Sequence, residues 1–171
     1  MGRKFLILLL VTSFGLFAGH KLATAQTEEV FNNSGLPIPR FVSLRSNKVF
    51  VRTGPALRYP IKWIYKRESL PIEIIQEFDT WRKIRDRDGE EGWIHTSLLS
   101  GKRHAVVAAE EEVYLRKKPD PESRQVALVE NEAVLKIEEC ILFWCKVSAK
   151  GFSGWIERKS IWGVYETEEL D

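Results

Sequence analysis

Few residues in this chain are placed to do chemistry. Glu77 and Asp79 are two carboxylates with Trp81 just beyond them. As a general acid and base they would need a cleft and a positioned substrate, and no other motif supplies one. The plainer reading is a solvated hairpin end; as ligand contacts, the same carboxylates could receive ammonium or amide groups. Cys140 and Cys145 are the only cysteines. A zinc site needs about four ligands, and beyond the leader described below only His95 and His104 could join them, at no finger-like spacing. The pair is not C-x-x-C, which weakens a redox motif. An intrachain disulfide leads, with free packed thiols as the alternative. Cys145 as a nucleophile with His104 as base is the weakest reading. His95 precedes Thr96-Ser97 with no third group to orient a base. G-x-S-x-G, H-E-x-x-H and phosphate-binding glycine loops are missing. Binding without catalysis, and no metal or other cofactor, is therefore expected.

Aromatic side chains are the stronger candidates, because Trp and Tyr faces stack on sugar rings or grip peptides. Small barrels, however, also need large residues inside. Trp93 and Trp155, each following a glycine, read as core. Trp81 and Trp144, each beside a turn, read equally as core or as part of an exposed groove. Tyr59, in a long loop after Pro55, is the best candidate for an exposed contact. Tyr59, Glu77, Asp79, Trp81 and Trp144 thus form the candidate ligand-binding set.

The elements that must position these residues are arranged as a duplication. Val51-Arg52-Thr53-Gly54-Pro55 matches Leu115-Arg116-Lys117-Lys118-Pro119, Trp81-Arg82-Lys83-Ile84 matches Trp144-Cys145-Lys146-Val147, and Gly92-Trp93-Ile94 matches Gly154-Trp155-Ile156. Three matches in order point to a repeated unit of about 63 residues. Strands are expected at 47–52, 61–66, 71–78, 81–85 and 92–95, with Asp88-Gly89 as a hairpin turn and one helical turn at 96–99. The second unit repeats them at 113–116, 125–129, 133–139, 144–148 and 154–157. No stretch sustains helical periodicity for three turns, so the class is all-β. A unit of this size buries only about 60% of its unfolded surface, so the two units are expected to pack on each other or share a short, ordered linker at Gly101–His104. Aligned on the Trp motif, Cys140 and Cys145 fall on Glu77 and Arg82, predicting an exposed cross-strand ion pair in the first unit where the second has its disulfide.

The chain has 171 residues and a net charge of +2. Arg3 and Lys4 precede an apolar run from Phe5 to Gly19, and Ala23-Thr24-Ala25 is an A-x-A cleavage pattern. This reads as a secretory signal peptide cut after Ala25; a retained anchor is the alternative, but the run is shorter than the about 20 residues a span needs. Without the three basic residues of the leader, 23 Lys and Arg face 24 Asp and Glu. That balance disfavours a nucleic-acid binder. Export would place the protein in the periplasm or outside the cell, with no stable membrane anchor, where disulfides persist. The alternating charges of Arg82–Asp88 read as a solvated turn, and the acidic end after Gly163 as a disordered, solvating tail.

The order V-x-V-R-x-G-P (Val49–Pro55), Glu77, W-x-x-I (Trp81–Ile84), Asp88-Gly89, G-W-I (Gly92–Ile94) and Ser97-Leu98-Leu99 resembles bacterial SH3-like (SH3b) domains. The second unit is a degenerate copy: Lys117-Lys118-Pro119 replaces Thr-Gly-Pro, and the Asp-Gly is missing. The resemblance implies two tandem small SH3-like β-barrels behind a signal peptide: leader 1–25, extended arm 26–40, first barrel 41–101, second barrel 102–163 and acidic tail 164–171. It also implies a binding module for peptidoglycan or its stem peptides in the cell envelope. An exported protein–protein scaffold is the alternative, and a wall hydrolase a distant third.

Overall fold

The computed structural model describes residues 32–171. The leader and the first part of the arm lie outside them. Fourteen strands form two seven-stranded antiparallel sheets. The first holds β1 (Arg40–Leu44), β2 (Val49–Arg52), β3 (Ile61–Tyr65), β4 (Pro71–Phe78), β5 (Trp81–Arg85), β6 (Glu91–His95) and β7 (Leu99–Ser100). The second holds β8 (His104–Val107), β9 (Val113–Arg116), β10 (Gln125–Val129), β11 (Val134–Ile141), β12 (Trp144–Ala149), β13 (Phe152–Glu157) and β14 (Ile161–Trp162). Their orders, β3-β2-β6-β5-β4-β1-β7 and β10-β9-β13-β12-β11-β8-β14, are the same order twice. A 3₁₀ turn follows the sixth strand of each, at Thr96–Leu98 and Arg158–Ser160.

Alternation shapes strands such as β2, β6 and β13, with one face packed inward and the other toward solvent, whereas Pro71–Ile74 of β4 and Ala105–Val107 of β8 are buried on both faces. The first core gathers Val49, Val51, Ile72, Ile74, Ile84 and Ile94, and the second Leu115, Leu135, Ile137, Val147, Ile156 and the two cysteines. The sixth strand crosses the second at a single pair, Arg52 with Trp93 and Arg116 with Trp155. At that crossing a Cβ on Gly92 would lie 2.3 Å from Val51 Cγ1, and one on Gly154 would lie 2.9 Å from the Arg116 carbonyl. Glycine is thus required where the backbones close the barrel. It also reverses the expectation for the tryptophans. Gly92 and Ile94 share the inward face, so Trp93 between them turns outward and is half-buried; Trp155 does the same. The core is filled by Ile94 and Ile156 instead.

Both matched V/L-R motifs make the same clamp. Arg52 Nη1 donates to the Tyr59 carbonyl at 2.7 Å, and Arg116 Nη1 to the Ser123 carbonyl at 2.9 Å. Each arginine thereby ties down the long loop after its strand. The Tyr59 ring lies 2.7 Å from where a Gly54 Cβ would be, so Gly54 is needed beneath the ring. In the second unit Ser123 replaces the ring, and Lys118 stands where Gly54 does.

Four strands were not expected: β1 and β8, and the short β7 and β14. β1 and β8 begin at the last residues of the stretches read as arm and linker, Arg40 and His104, and each pairs with the long fourth strand of its sheet, as in Val42 with Ile72 and Ala105 with Leu135. The C-terminal tail departs further from expectation: it is ordered. Cys140 and Leu170 exchange backbone hydrogen bonds. Glu168 pairs with Arg103 through both carboxylate oxygens. Buried Arg158 donates to the carbonyls of Tyr165 and Glu168. The partnered carboxylate of Glu168, the bonds from Arg158 and the apolar contacts of Val164 and Leu170 outweigh the solvation that an acidic composition favours.

The units pack directly on each other. Buried Phe41 of β1 meets Trp162 edge-on at 4.9 Å and Tyr165 at 4.7 Å. The Tyr165 hydroxyl donates to Glu73 at 2.8 Å, whose other oxygen receives two bonds from Arg85. Arg87 reaches Glu132 at 2.5 Å, and Arg67 donates to the Glu132 carbonyl. The charged run 82–88 is therefore partnered, with one arm across the junction. Ser43 donates to the Lys102 carbonyl at 2.7 Å, leaving its oxygen to accept from His104 Nδ1 at 2.9 Å. His104 has its pKa lowered by burial.

Candidate functional site

The β4–β5 and β11–β12 hairpins carry most of the candidate residues, and the structure separates them. Glu77 pairs with Arg82 in register, as Cys140 does with Cys145, and the cysteines form a disulfide with Cα atoms 4.1 Å apart. Cys145 is thus no free nucleophile, and His104 is held by Ser43.

Glu77 is corrected as a ligand contact: its side chain is fully buried. Arg40 lies at 2.6 Å and Arg82 at 3.2 Å. The Ser34 amide and hydroxyl donate to its two oxygens at 2.6 and 2.7 Å. The pair expected on the surface is therefore a buried hub that folds the arm onto the barrel. Burial alone would raise the Glu77 pKa, but the bonds from Arg40 and Ser34, with the charge of Arg82, hold it below the ordinary carboxylate value.

Trp81 is corrected as a groove residue. It is buried, with the His95 ring edge-on at 5.4 Å. Asp79 is exposed at the hairpin tip, in a left-handed conformation (φ 48°) that aspartate tolerates. Tyr59 is half-buried, one face over Gly54 and Arg58 stacked on its ring at 5.1 Å.

Trp144 has a different setting from its counterpart Trp81. The position of His95 is held by Glu157, paired with Trp144 across the strands. Glu157 binds Lys159 at 2.6 Å, so no ring covers the indole, which stays half-exposed. Trp144, Glu157 and Lys159 form the wall shared by two grooves. One, of about 550 Å³, runs toward Tyr114 and Arg116. The other, of about 770 Å³, runs past Pro121 and Phe143 to Glu166. Neither includes Tyr59 or Asp79. The arrangement offers an aromatic face with one anionic and one cationic group at its edge, able to hold a zwitterionic or amide-bearing chain.

Beside it the hairpin tip is apolar. Where the first unit has Asp79-Thr80, the second has Leu142-Phe143, 71% and 78% exposed. Leu142 takes the same left-handed turn, at φ 39°, which costs a leucine about 1–2 kcal/mol. The sequence carried this signal in the run Ile141-Leu142-Phe143-Trp144, where the first unit has a polar turn. Among the described residues no cluster of His, Cys, Asp and Glu could hold a metal ion.

No curated protein matches the chain. Among the solved structures that overlap it weakly are two from Trichomonas vaginalis. NlpC2 shares 13% identity at a TM-score of 0.36, over 76% of this chain and 50% of that one. NlpC1 shares 14% at 0.33, over 77% and 48%. The chain thus spans about half the length of each, and the likeness carries no argument about activity. The family model for the bacterial SH3 domain matches twice, at residues 45–101 and 109–163. With one strand order repeated, one arginine clamp repeated and one glycine crossing repeated, the chain belongs to the bacterial SH3 domain family as a tandem pair.

Proposed function

We propose that this protein is an exported, non-catalytic binding module that recognises peptidoglycan through its stem peptides, and that the second barrel does the binding. The observation that carries this reading is the half-exposed indole of Trp144, flanked by Glu157 and Lys159 between two grooves. A stem peptide presents amines, carboxylates and amides along an extended chain. Glu157 meets the first, Lys159 the second, and the Trp144 face covers the backbone between them. The contact is shallow, so affinity per site is modest.

The test is retention of residues 26–171 on purified sacculi at physiological salt. Wild-type protein is expected to be retained, Trp144→Ala to be released and Tyr59→Ala to behave as wild type. Release of soluble muropeptides during the incubation would overturn the non-catalytic part. Absence of wild-type retention would overturn the ligand.

A second reading, docking to another exported protein, is favoured by the Leu142-Phe143 tip. An exposed apolar pair held at conformational cost is unusual outside contact surfaces. A photo-crosslinker at position 143, used in the periplasm, would capture such a partner.

A further inference from the structure

The two barrels share a strand order but not an interior. In the first, Trp63 and Tyr65 of β3 pack against the core, their rings perpendicular at 5.9 Å. The Tyr65 hydroxyl donates to Asp86 at 2.7 Å, and Leu70 packs on the same cluster. Strand register carries each of these onto the second barrel. Val51 faces Trp63 as Leu115 faces Ala127, and Val49 faces Tyr65 as Val113 faces Val129. The Leu44 amide bonds the Leu70 carbonyl as the Val107 amide bonds that of Ala133. Ile84 faces Gly92 as Val147 faces Gly154, which makes Ala149 the counterpart of Asp86. An indole, a phenol and a leucine have thus become Ala127, Val129 and Ala133, and the acceptor of the phenol has become Ala149. These four line an open-mouthed cavity of about 720 Å³ with Leu115 and Leu135, both buried. Leu128 and Phe152 stand half-exposed at its lip.

We propose that this cavity is a second ligand site, taking an aromatic side chain of an extended peptide into the space that Trp63 and Tyr65 fill in the first barrel. Protein interiors are close-packed, and a space of this size falls within the range of ligand pockets, roughly 300–1,000 Å³. The loss is concerted. Removing the phenol alone would strand the Asp86 carboxylate against an apolar wall; with alanine there the inner wall of Leu115, Ala127, Val129, Ala133, Leu135 and Ala149 is apolar and suits a ring, while exposed Arg67, Glu130, Asn131, Glu132 and Lys150 make the rest of the lining polar. β10, which lines the cavity, is also an edge strand of its sheet. Its free backbone edge can pair with an extended peptide while a side chain enters the cavity. The site shares no residue with the Trp144 grooves, so either can fail without the other.

The experiment uses methyl-labelled protein and the side-chain analogues indole and p-cresol, followed by a short extended peptide with one central Trp and its Ala counterpart. Expected are saturable shifts of the Leu115, Leu135, Ala127 and Ala149 methyls, with Leu44 and Ile94 unmoved, and binding of the Trp peptide at least tenfold tighter than the Ala peptide. Ala127→Trp, which restores the first barrel's plug, is expected to raise the Tm and abolish the indole shifts. If it fails to fold, Ala133→Leu makes the same test by narrowing the cavity. Wild-type methyls that do not respond to either analogue would overturn the proposal and leave the space a packing defect. So would indole shifts that persist unchanged in both variants, or equal binding of the two peptides.

Discussion

Glu77 shows how one residue's environment reverses its role. Its carboxylate sits between two guanidinium groups and accepts both hydrogen atoms that Ser34 can offer. Removing one partner of a buried ionic cluster leaves the rest uncompensated, which costs about 3–5 kcal/mol. Glu77→Gln is expected to lower the unfolding free energy by about 3 kcal/mol in urea titration. The folded pKa is depressed, so the stabilisation is present above the ordinary carboxylate value and is lost as pH falls through the folded one. Glu168, lowered by Arg103 and the Tyr165 amide against the opposing effect of burial, acts with the same sign. Acid titration of stability should therefore steepen below about pH 4.5 and flatten in Glu77→Gln. Little of this was legible beforehand. The Glu77–Arg82 pairing follows from the repeat, but Arg40 and Ser34 lie 37 and 43 residues away in sequence, and their approach decides that the pair is buried.

At the scale of elements, the hairpins read well because their signals are local. β4, β5, β9 and β10 run over the bounds expected, β4 and β5 on their Ile and Trp and β9 and β10 on their Val and Leu, and the Asp88-Gly89 signal marks a hairpin turn over 86–89 with Gly89 at φ 84°. β1 and β8 lacked such signals: RFVSL and HAVV have no Asn-Gly or Asp-Gly turn beside them and no Trp, and each is held in place by pairing with the distant β4 or β11. The outward turn of Trp93 was implicit in the period of two, since a glycine needed at the crossing fixes which neighbours point inward. The β11–β12 hairpin carries two opposed features, a strained Leu142 and a disulfide spanning it. Leu142→Asn, which tolerates the left-handed turn, is expected to raise stability by about 1 kcal/mol in denaturant titration. Replacing both cysteines by serine is expected to cost about 2 kcal/mol in the chain-entropy model. Amide exchange should then accelerate in β11 and β12 before β4 and β5.

For the whole molecule, the junction matters more than either barrel's surface. Phe41, Trp162 and Tyr165 form one aromatic cluster shared by the two units, and truncating a buried phenylalanine costs about 3–5 kcal/mol. Phe41→Ala is expected to split one calorimetric transition into two, whereas Tyr165→Phe, which loses only the bond to Glu73, should cost about 1 kcal/mol and keep a single transition. The repeat and its short linker pointed to contact between the units, but not to a tail that passes back across the junction. Each sheet is also built from one uninterrupted stretch of chain, seven strands and then seven more. During synthesis the first set can pair before the second has emerged. A chain diluted from denaturant has no such order: β8 can compete with β1 for the edge of β4, and each barrel's strands can be borrowed by a neighbouring molecule. Refolding yield should therefore fall with protein concentration in a way that vectorial synthesis avoids.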